Sequence, residues 1–146
     1  MPFIMKSLNN ISRCQSVYRN SNLKIDGICA THHSFILFIC RKEGSTQEEI
    51  SREICLDKST VARVLAHLEK LEYIKRVPNE NDKRELLIFP TEKMKAILPK
   101  IKDITREWNT NICMDISAEE MEIFYSVLSR IEKSAKDTVE KMRGES

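Results

Sequence analysis

Glycine and proline are scarce in this chain, with three glycines and four prolines among its 146 residues. Because these two residues are the strongest breakers of helices, their scarcity predicts long uninterrupted helices. No hydrophobic run approaches the length of a membrane span, which argues against a helical membrane protein. The amino-terminal segment MPFIM is too short and too quickly polar to be a signal peptide. We therefore expect a cytoplasmic protein with no membrane partner.

Paired cysteine spacing and a large charge of one sign are also absent. The five cysteines, an odd number without a repeated interval, are Cys14, Cys29, Cys40, Cys55 and Cys113. Without a secretion signal they are expected to be reduced thiols rather than a disulfide framework. The net charge is only +2, and basic and acidic residues are equal in number between Arg41 and Lys93. Bulk charge therefore does not predict a nucleic-acid partner, and only the placement of charges can do so.

The most informative stretch is residues 44–90. Thr46 and Glu49 have the spacing of a capping box at the start of a short helix, residues 47–54. After a turn, Asp57 is placed to cap a longer helix. Apolar residues recur along that helix at steps of three and four, at Val61, Val64, Leu65, Leu68 and Leu71. A short helix, a tight turn and a longer amphipathic helix predict a helix-turn-helix.

The other face of the longer helix carries hydroxyls and cations near its start. These residues are Lys58, Ser59, Thr60, Arg63 and, one turn later, His67. The pattern suits a DNA major groove, because hydroxyls can bond base edges and Arg63 is long enough to reach a guanine. Lys58 and Thr46 would contact phosphates beside the positive end of a helix dipole. Ordinary solvated residues of a first turn would show the same pattern, so the helix alone leaves both interpretations open.

A hairpin is predicted next, with strands at 73–77 and 85–90 and a turn-rich tip at 78–82. Asp82 lies two residues before Arg84, where its carboxylate can orient the guanidinium or a neighbouring base through a charge-assisted hydrogen bond. A hairpin with a poised arginine beside a recognition helix indicates a winged helix-turn-helix. Arg84 would then enter a minor groove, and Lys83 would contact the DNA backbone. A solvated, charged hairpin is the alternative interpretation.

Long amphipathic helices are predicted on both sides of this unit. Residues 3–22 and the segments that start at Thr91 and at Ser117 have apolar residues at helical spacing, and a helix at 32–42, capped by Thr31, is apolar all round. The winged unit cannot cover the terminal stripes, so we expect a homodimer with interleaved terminal helices. A monomeric helical subdomain is the alternative.

The predicted fold class is mainly α with a small β-hairpin wing, in a single domain at 1–146. Within it, residues 31–91 would form the winged helix-turn-helix, and residues 1–30 and 92–146 would form dimerisation helices.

Residues of roughly 31 to 101 resemble the MarR (multiple antibiotic resistance regulator) family. The matching segments are TQEEI at 46–50, LDKSTVAR at 56–63, LEKLEYI at 68–74, DKR at 82–84 and TEK at 91–93. The resemblance implies a homodimeric winged-helix transcription factor. Members of this family are most often repressors that a small molecule or oxidation releases from DNA, and the resemblance implies the same for this protein.

Three regulatory inputs remain open from the sequence. A small-molecule effector is implied by the resemblance, although no residue marks its pocket. Thiol oxidation would require a reactive cysteine, for which Cys14 and Cys55 are the candidates. Metal binding would involve Cys29, His32 and His33, but a convincing second pair of ligands is lacking, so no metal and no cofactor are expected.

Two other classes of protein were weighed. An enzyme is not expected, because the chain contains no glycine-rich phosphate loop, nucleophile elbow or zinc-hydrolase motif. A winged helix that docks onto proteins instead of double-stranded DNA is the remaining alternative. The basic residues at the start of the recognition helix and on the wing argue against it.

Overall fold

The computed structural model describes residues 3–144. Its elements are α1 (Ile4–Asn22), α2 (Ala30–Arg41), β1 (Ser45–Thr46), α3 (Gln47–Ile54), α4 (Lys58–Lys70), β2 (Ile74–Pro78), β3 (Leu86–Pro90), α5 (Glu92–Ile112) and α6 (Ala118–Gly144). The predicted fold class, mainly α with a small β-hairpin wing, is confirmed. Within the described range, no helix is long and apolar enough to cross a membrane.

The predicted caps of α3 and α4 are both present. The backbone N–H of Glu49 donates to the Thr46 hydroxyl at 3.2 Å, and the N–H of Thr46 donates to the Glu49 carboxylate at 2.9 Å. The Asp57 carboxylate accepts from the N–H of Thr60 at 2.8 Å. These bonds satisfy amide groups that a helix start leaves without partners, and they fix where each helix begins. Between the two helices Cys55 adopts a left-handed φ of 58°, a conformation that glycine adopts more readily.

The start of α2 differs from the prediction. Thr31 was expected to cap a helix at 32–42, but the helix begins at Ala30 and Cys29 is its N-cap residue. The N–H of Cys29 donates to Nδ1 of His32 at 3.1 Å. A histidine in this role lies outside the usual capping pattern of serine, threonine, aspartate or asparagine, so the sequence pointed to the nearest threonine.

The hairpin belongs to a three-stranded antiparallel sheet with the order β1-β3-β2. Ser45 pairs with Ile88 and Thr46 with Leu87, while Arg76 of β2 pairs with Ile88 from the other side. The sequence did not predict β1, because two residues are too few to show an alternating pattern. This strand attaches the base of the wing to the start of α3.

The hydrophobic core joins α2, the helix-turn-helix, the sheet and α5. Its fully buried side chains include Phe35, Ile36, Ile39, Ile50, Val61, Leu65, Leu68, Met94 and Ile101. Helix α2 is buried on most sides, as its all-round apolar sequence predicted. The predicted apolar stripe of α4 faces this core, which leaves the opposite face of α4 open to solvent.

The chain divides into two compact units, residues up to 109 and residues from 110 onward. In the first unit, α1 has no buried residue. It exposes the apolar side chains of Ile4, Met5, Ile11 and Val17, and its N-cap residue Phe3 is exposed as well. In the second unit, α6 begins with the predicted capping box of Ser117 and Glu120. It has no buried residue and exposes Ile123, Phe124 and Tyr125. The predicted division of the domain at residues 30 and 92 stays a prediction.

Candidate nucleic-acid interface

The start of α4 is organised around the carboxylate of Asp57. Its two oxygens accept from the hydroxyls of Ser59, at 2.6 Å, and Thr60, at 2.7 Å, in addition to the Thr60 amide. These hydrogen bonds hold the pKa of the Asp57 carboxyl well below its ordinary value. Both hydroxyl protons are therefore directed into the protein, and the oxygen lone pairs remain to accept bonds from outside. The hydroxyls of Ser59 and Thr60 can therefore accept hydrogen bonds from groups outside the protein more readily than they can donate them.

Arg63 extends this network by one turn. Its guanidinium donates to the Thr60 hydroxyl oxygen at 3.2 Å and is otherwise exposed. Because only one of its five N–H groups is used in this bond, a bidentate contact to a guanine edge remains available. Lys58 is also exposed, and its backbone carbonyl accepts a hydrogen bond from the side-chain amide of Gln47 at 3.5 Å. The predicted cluster on α4 is thus brought together at one helix start.

The wing tip holds its shape through local hydrogen bonds. The N–H of Asn79 donates to the Glu85 carbonyl at 2.9 Å, and the N–H of Glu85 donates to the Asp82 carbonyl at 3.0 Å. The Asp82 carboxylate accepts from the backbone N–H of Arg84 at 3.0 Å. In this structure the carboxylate holds the backbone of the tip, and its role in orienting the Arg84 guanidinium or a neighbouring base stays a prediction. Lys83 and Arg84 are both exposed.

A shallow groove connects the wing to α3. It has a volume of about 260 Å³, and its lining includes Thr46, Gln47, Arg76 and Arg84. Gln47 and Arg76 were not predicted as site residues. Gln47 follows the cap of α3 directly, and this position was a usable signal. Arg76 comes to the groove through the β2–β3 register, which no sequence pattern indicated.

His67 has contacts inside the protein. Its Nε2 lies 2.6 Å from the carbonyl oxygen of Gly27, and its ring packs against that of His32 with centroids 5.1 Å apart. Since a carbonyl can only accept, Nε2 must carry the proton of this hydrogen bond. The predicted DNA contact by His67 remains untested, and these bonds favour a structural role for its ring.

Acidic residues near this surface pair with cations other than the predicted DNA contacts. Four surface ion pairs are Glu48–Arg52 at 3.2 Å, Glu49–Lys42 at 2.7 Å, Glu53–Arg41 at 3.0 Å and Glu69–Arg76 at 3.1 Å. Lys58, Arg63, Lys83 and Arg84 form no ion pair within the described residues. A region with balanced charge therefore presents unpaired positive groups on the start of α4 and on the wing tip.

A second, larger cleft of about 660 Å³ lies between α2, α3 and α5. Its lining includes the apolar side chains of Leu37, Phe38, Ile54 and Leu98, with Arg41 and Lys102 as its cations. The Arg41 guanidinium lies 5.4 Å from the centre of the Phe38 ring and bonds Glu53. The sequence did not mark this cleft, because its walls come from three distant segments.

The candidate metal and redox residues can also be placed. Among residues 3–144, no group of three or more histidine, cysteine or acidic side chains is arranged to hold a metal ion. His33 is fully buried, and neither ring nitrogen has a hydrogen-bond partner. Burial, with the nearby Arg19 charge, lowers the pKa of His33 to about 4. All five cysteines are free thiols: Cys14, Cys29 and Cys55 are exposed, and burial raises the pKa of the Cys40 thiol.

The helix-turn-helix, the sheet beside it and the exposed cations on both define a winged helix-turn-helix protein. Residues 31–86 match the MarR family. The HTH-type transcriptional regulator YybA of Bacillus subtilis is 26% identical over 132 residues, which cover 90% of this chain and 87% of YybA. The crystal structure of the transcriptional regulator SlyA is similar with a TM-score of 0.90 and 25% identity, covering 94% of this chain and 97% of SlyA.

A third similar structure is a putative MarR family regulator from Listeria monocytogenes in complex with a 26-mer DNA. It has a TM-score of 0.89 and 24% identity, and the match covers 94% of this chain and 92% of that one. Residues 31–86 are thus similar to the MarR family, and the resemblance found in the sequence is confirmed over this segment. The similar proteins are transcriptional regulators, which agrees with the expectation that the protein is not an enzyme.

Proposed function

We propose that this protein is a cytoplasmic, homodimeric repressor that binds a pseudo-palindromic operator in double-stranded DNA and is released by a small-molecule effector. The main observation that supports DNA binding is the distribution of ion pairs on this surface. Acids near the interface are paired with Lys42, Arg52 and Arg76, among others, while the cations at the start of α4 and on the wing have no acidic partner among residues 3–144. Phosphates would supply the missing negative charge.

Each interface residue has a role that its geometry supports. Ser59, Thr60 and Arg63 would read base edges in the major groove, with the two hydroxyls acting as acceptors because Asp57 takes their protons. Lys58 and Thr46 would contact phosphates at the two helix starts. Arg84 would enter the minor groove, and Lys83 would contact the backbone. The similar Listeria protein was solved in complex with DNA, which supports DNA binding by this fold.

The dimer is supported by the terminal helices. α1 exposes the apolar residues Ile11 and Val17, and α6 exposes Ile123 and Phe124. A second copy of the chain would cover each of these faces and remove the apolar surface from water. Two recognition helices would then read two half-sites about 34–36 Å apart, or one turn of DNA.

The effector would bind in the cleft between α2, α3 and α5. Its apolar walls with Arg41 and Lys102 suit a small molecule that has an apolar body and a negatively charged group. Such a ligand would compete with Glu53 for Arg41, and Glu53 lies on α3, the helix that supports the recognition helix. Thiol oxidation at the exposed Cys14 or Cys55 remains the alternative regulatory input.

Selection of genomic fragments by the purified protein tests this function. The wild-type protein should enrich fragments that share a two-fold symmetric sequence, and footprinting should protect both halves. A variant that combines Arg63→Ala and Arg84→Ala should enrich nothing. The control Arg106→Ala removes a charge from α5, where Arg106 pairs with Asp103, and should enrich the same fragments as wild type. Enrichment without a shared sequence by the wild-type protein would refute the proposal.

A further inference from the structure

The carboxyl-terminal half of the recognition helix is attached to the turn between α1 and α2. This turn comprises Ile25–Ile28, which are closed by a bridge and by the Ile28 N–H bonding the Ile25 carbonyl at 3.0 Å. The carbonyl of Gly27, at the tip of the turn, accepts the 2.6 Å hydrogen bond from His67 of α4. Gly27 and His67 are 40 residues apart, so this contact joins two segments that are distant in sequence.

Two further contacts fix the turn on α4. Gly27 has a left-handed φ of 78°, and a Cβ atom at this position would lie 2.5 Å from the side chain of Leu71, the C-cap residue of α4. The left-handed φ favours glycine, and a Cβ atom would also require the end of the Leu71 side chain to shift. The His67 ring packs against His32, whose Nδ1 holds the N–H of Cys29 directly after the turn.

The contacts of the two halves of α4 differ in kind. The first half presents Ser59 and Arg63 to solvent, whereas the second half contacts the turn that follows α1. Because a helix is stiff over 13 residues, a displacement of its second half moves the first half as well. The turn follows α1 after only two residues, Leu23 and Lys24, and the apolar face of α1 is the proposed dimer surface.

We propose that the Gly27–His67 contact is a positioning latch that sets the angle of the recognition helix and transmits movements of α1 to it. This inference rests on the proposed DNA-binding function. His67 acts here through α4 and does not itself contact DNA. A change in α1, whether it comes from the dimer partner or from an effector, would then alter operator affinity through this hydrogen bond.

Two substitutions separate the hydrogen bond from simple packing. His67→Phe keeps a ring against His32 but cannot donate to Gly27, while His67→Gln can donate from its own Nε2 without a ring. Gly27 is exposed, so water can replace the lost donor and the variants should fold with melting temperatures close to wild type. Ala66→Gln, which places a glutamine at the neighbouring exposed position of α4, is the matched control.

The first measurement is affinity for the operator duplex found by fragment selection and for a scrambled duplex. We expect His67→Phe to lose about three- to tenfold in operator affinity with unchanged affinity for the scrambled duplex. His67→Gln and Ala66→Gln should bind the operator within about twofold of wild type. Wild-type affinity of the Phe variant, or an equal loss in the Gln variant, would overturn the latch. An equal loss on both duplexes would also overturn it, since that indicates general damage.

The second measurement needs no DNA. Amide hydrogen exchange should become faster in His67→Phe both at residues 66–71 of α4 and at residues 25–28 of the turn, and should stay unchanged in Ala66→Gln. Faster exchange in α4 alone would contradict a connection between the two segments. If the wild-type protein discriminated no duplex, the proposed function would fail, and the exchange result would decide the latch by itself.

Discussion

Helices α2 and α1 are neighbours in the chain, yet they contribute to the structure in opposite ways. α2 has seven buried residues among its 12, whereas α1 has none among its 19. α6, with 27 residues, has none either. The helices of the winged helix-turn-helix complete their core within one chain. The terminal helices do not, and their exposed apolar side chains form the surface of the proposed dimer.

The comparison predicts that substitutions in the two regions have separable effects. A change on an exposed apolar face of a terminal helix should alter association first. A change in the core of the winged unit should alter stability first, and a change on its open surface should alter DNA binding alone. The four predictions below test this separation, from the largest expected effect to the smallest.

Ile123→Glu should have the largest effect. Ile123 is 66% exposed on α6, and in a dimer a glutamate there would bury a charge without a partner. We expect the mass measured by sedimentation to fall from dimer to monomer, and operator affinity to drop about a hundredfold because two half-sites are no longer bound together. The exposed neighbour Glu122→Gln should remain dimeric. If the wild-type protein sedimented as a monomer at micromolar concentration, the proposed dimer would be refuted.

His33 predicts a loss of stability in acid. Its pKa is near 6.5 when unfolded and lowered to about 4 in the fold, so between these values the unfolded state binds more protons. The free energy of unfolding should therefore be complete above pH 6.5 and fall by about 3 kcal/mol as the pH approaches 4. Urea titrations at pH 7.5 and 4.5, at one protein concentration, measure this.

The variant His33→Phe is the control for that pH dependence. Neither ring nitrogen of His33 has a partner, so phenylalanine should fit at neutral pH with little cost. Most of the loss between pH 7.5 and 4.5 should disappear in this variant. An undiminished loss would assign the acid sensitivity to other groups.

Arg84→Ala should weaken operator binding by about 1.5–3 kcal/mol, the range for hydrogen bonds to charged groups. The melting temperature should not change, because the Arg84 side chain is exposed and forms no ion pair within the described residues. Fluorescence anisotropy and thermal unfolding measure the two quantities. A parallel loss of stability would show that the wing tip supports the fold instead.

Arg63→Ala should cost about 1–3 kcal/mol in operator binding and relax the base preference at one position in each half-site. Anisotropy with a set of singly substituted operators measures both. Lys83→Ala provides the contrast, because the loss of a phosphate contact should weaken all sequences alike and reduce the salt slope by about 1. Unchanged affinity in both Arg63→Ala and Arg84→Ala would remove the assigned interface.

The sequence predicted the fold to the extent that its signals are local. Thr46, Asp57 and Ser117 begin helices as predicted, because a capping side chain acts within three residues of itself. The start of α2 was misplaced because His32 caps it in an unusual way. Three features depend on segments that are distant in sequence, which periodicity cannot reveal. They are the groove lining by Arg76, the hydrogen bond from His67 to Gly27 and the cleft beside Arg41.

The sequence predicted which residues form the candidate interface better than it predicted their hydrogen bonds. Lys58 and Arg63 are exposed as expected, since they lie opposite the apolar stripe of α4, and Lys83 and Arg84 are exposed in the turn between β2 and β3. The bond from the Arg84 backbone N–H to Asp82 was not predicted, because spacing alone does not distinguish that N–H from the guanidinium.

The most direct test of the account is a salt series of binding by fluorescence anisotropy, with the DNA upstream of the protein's own gene and a scrambled duplex of the same length. Specific binding by one dimer per site, falling steeply as salt rises, is the predicted result, because unpaired cations on α4 and the wing exchange counterions for phosphates. Equal and weak binding to both duplexes, followed by a genome-fragment selection that also enriches no sequence, would contradict the DNA-binding function.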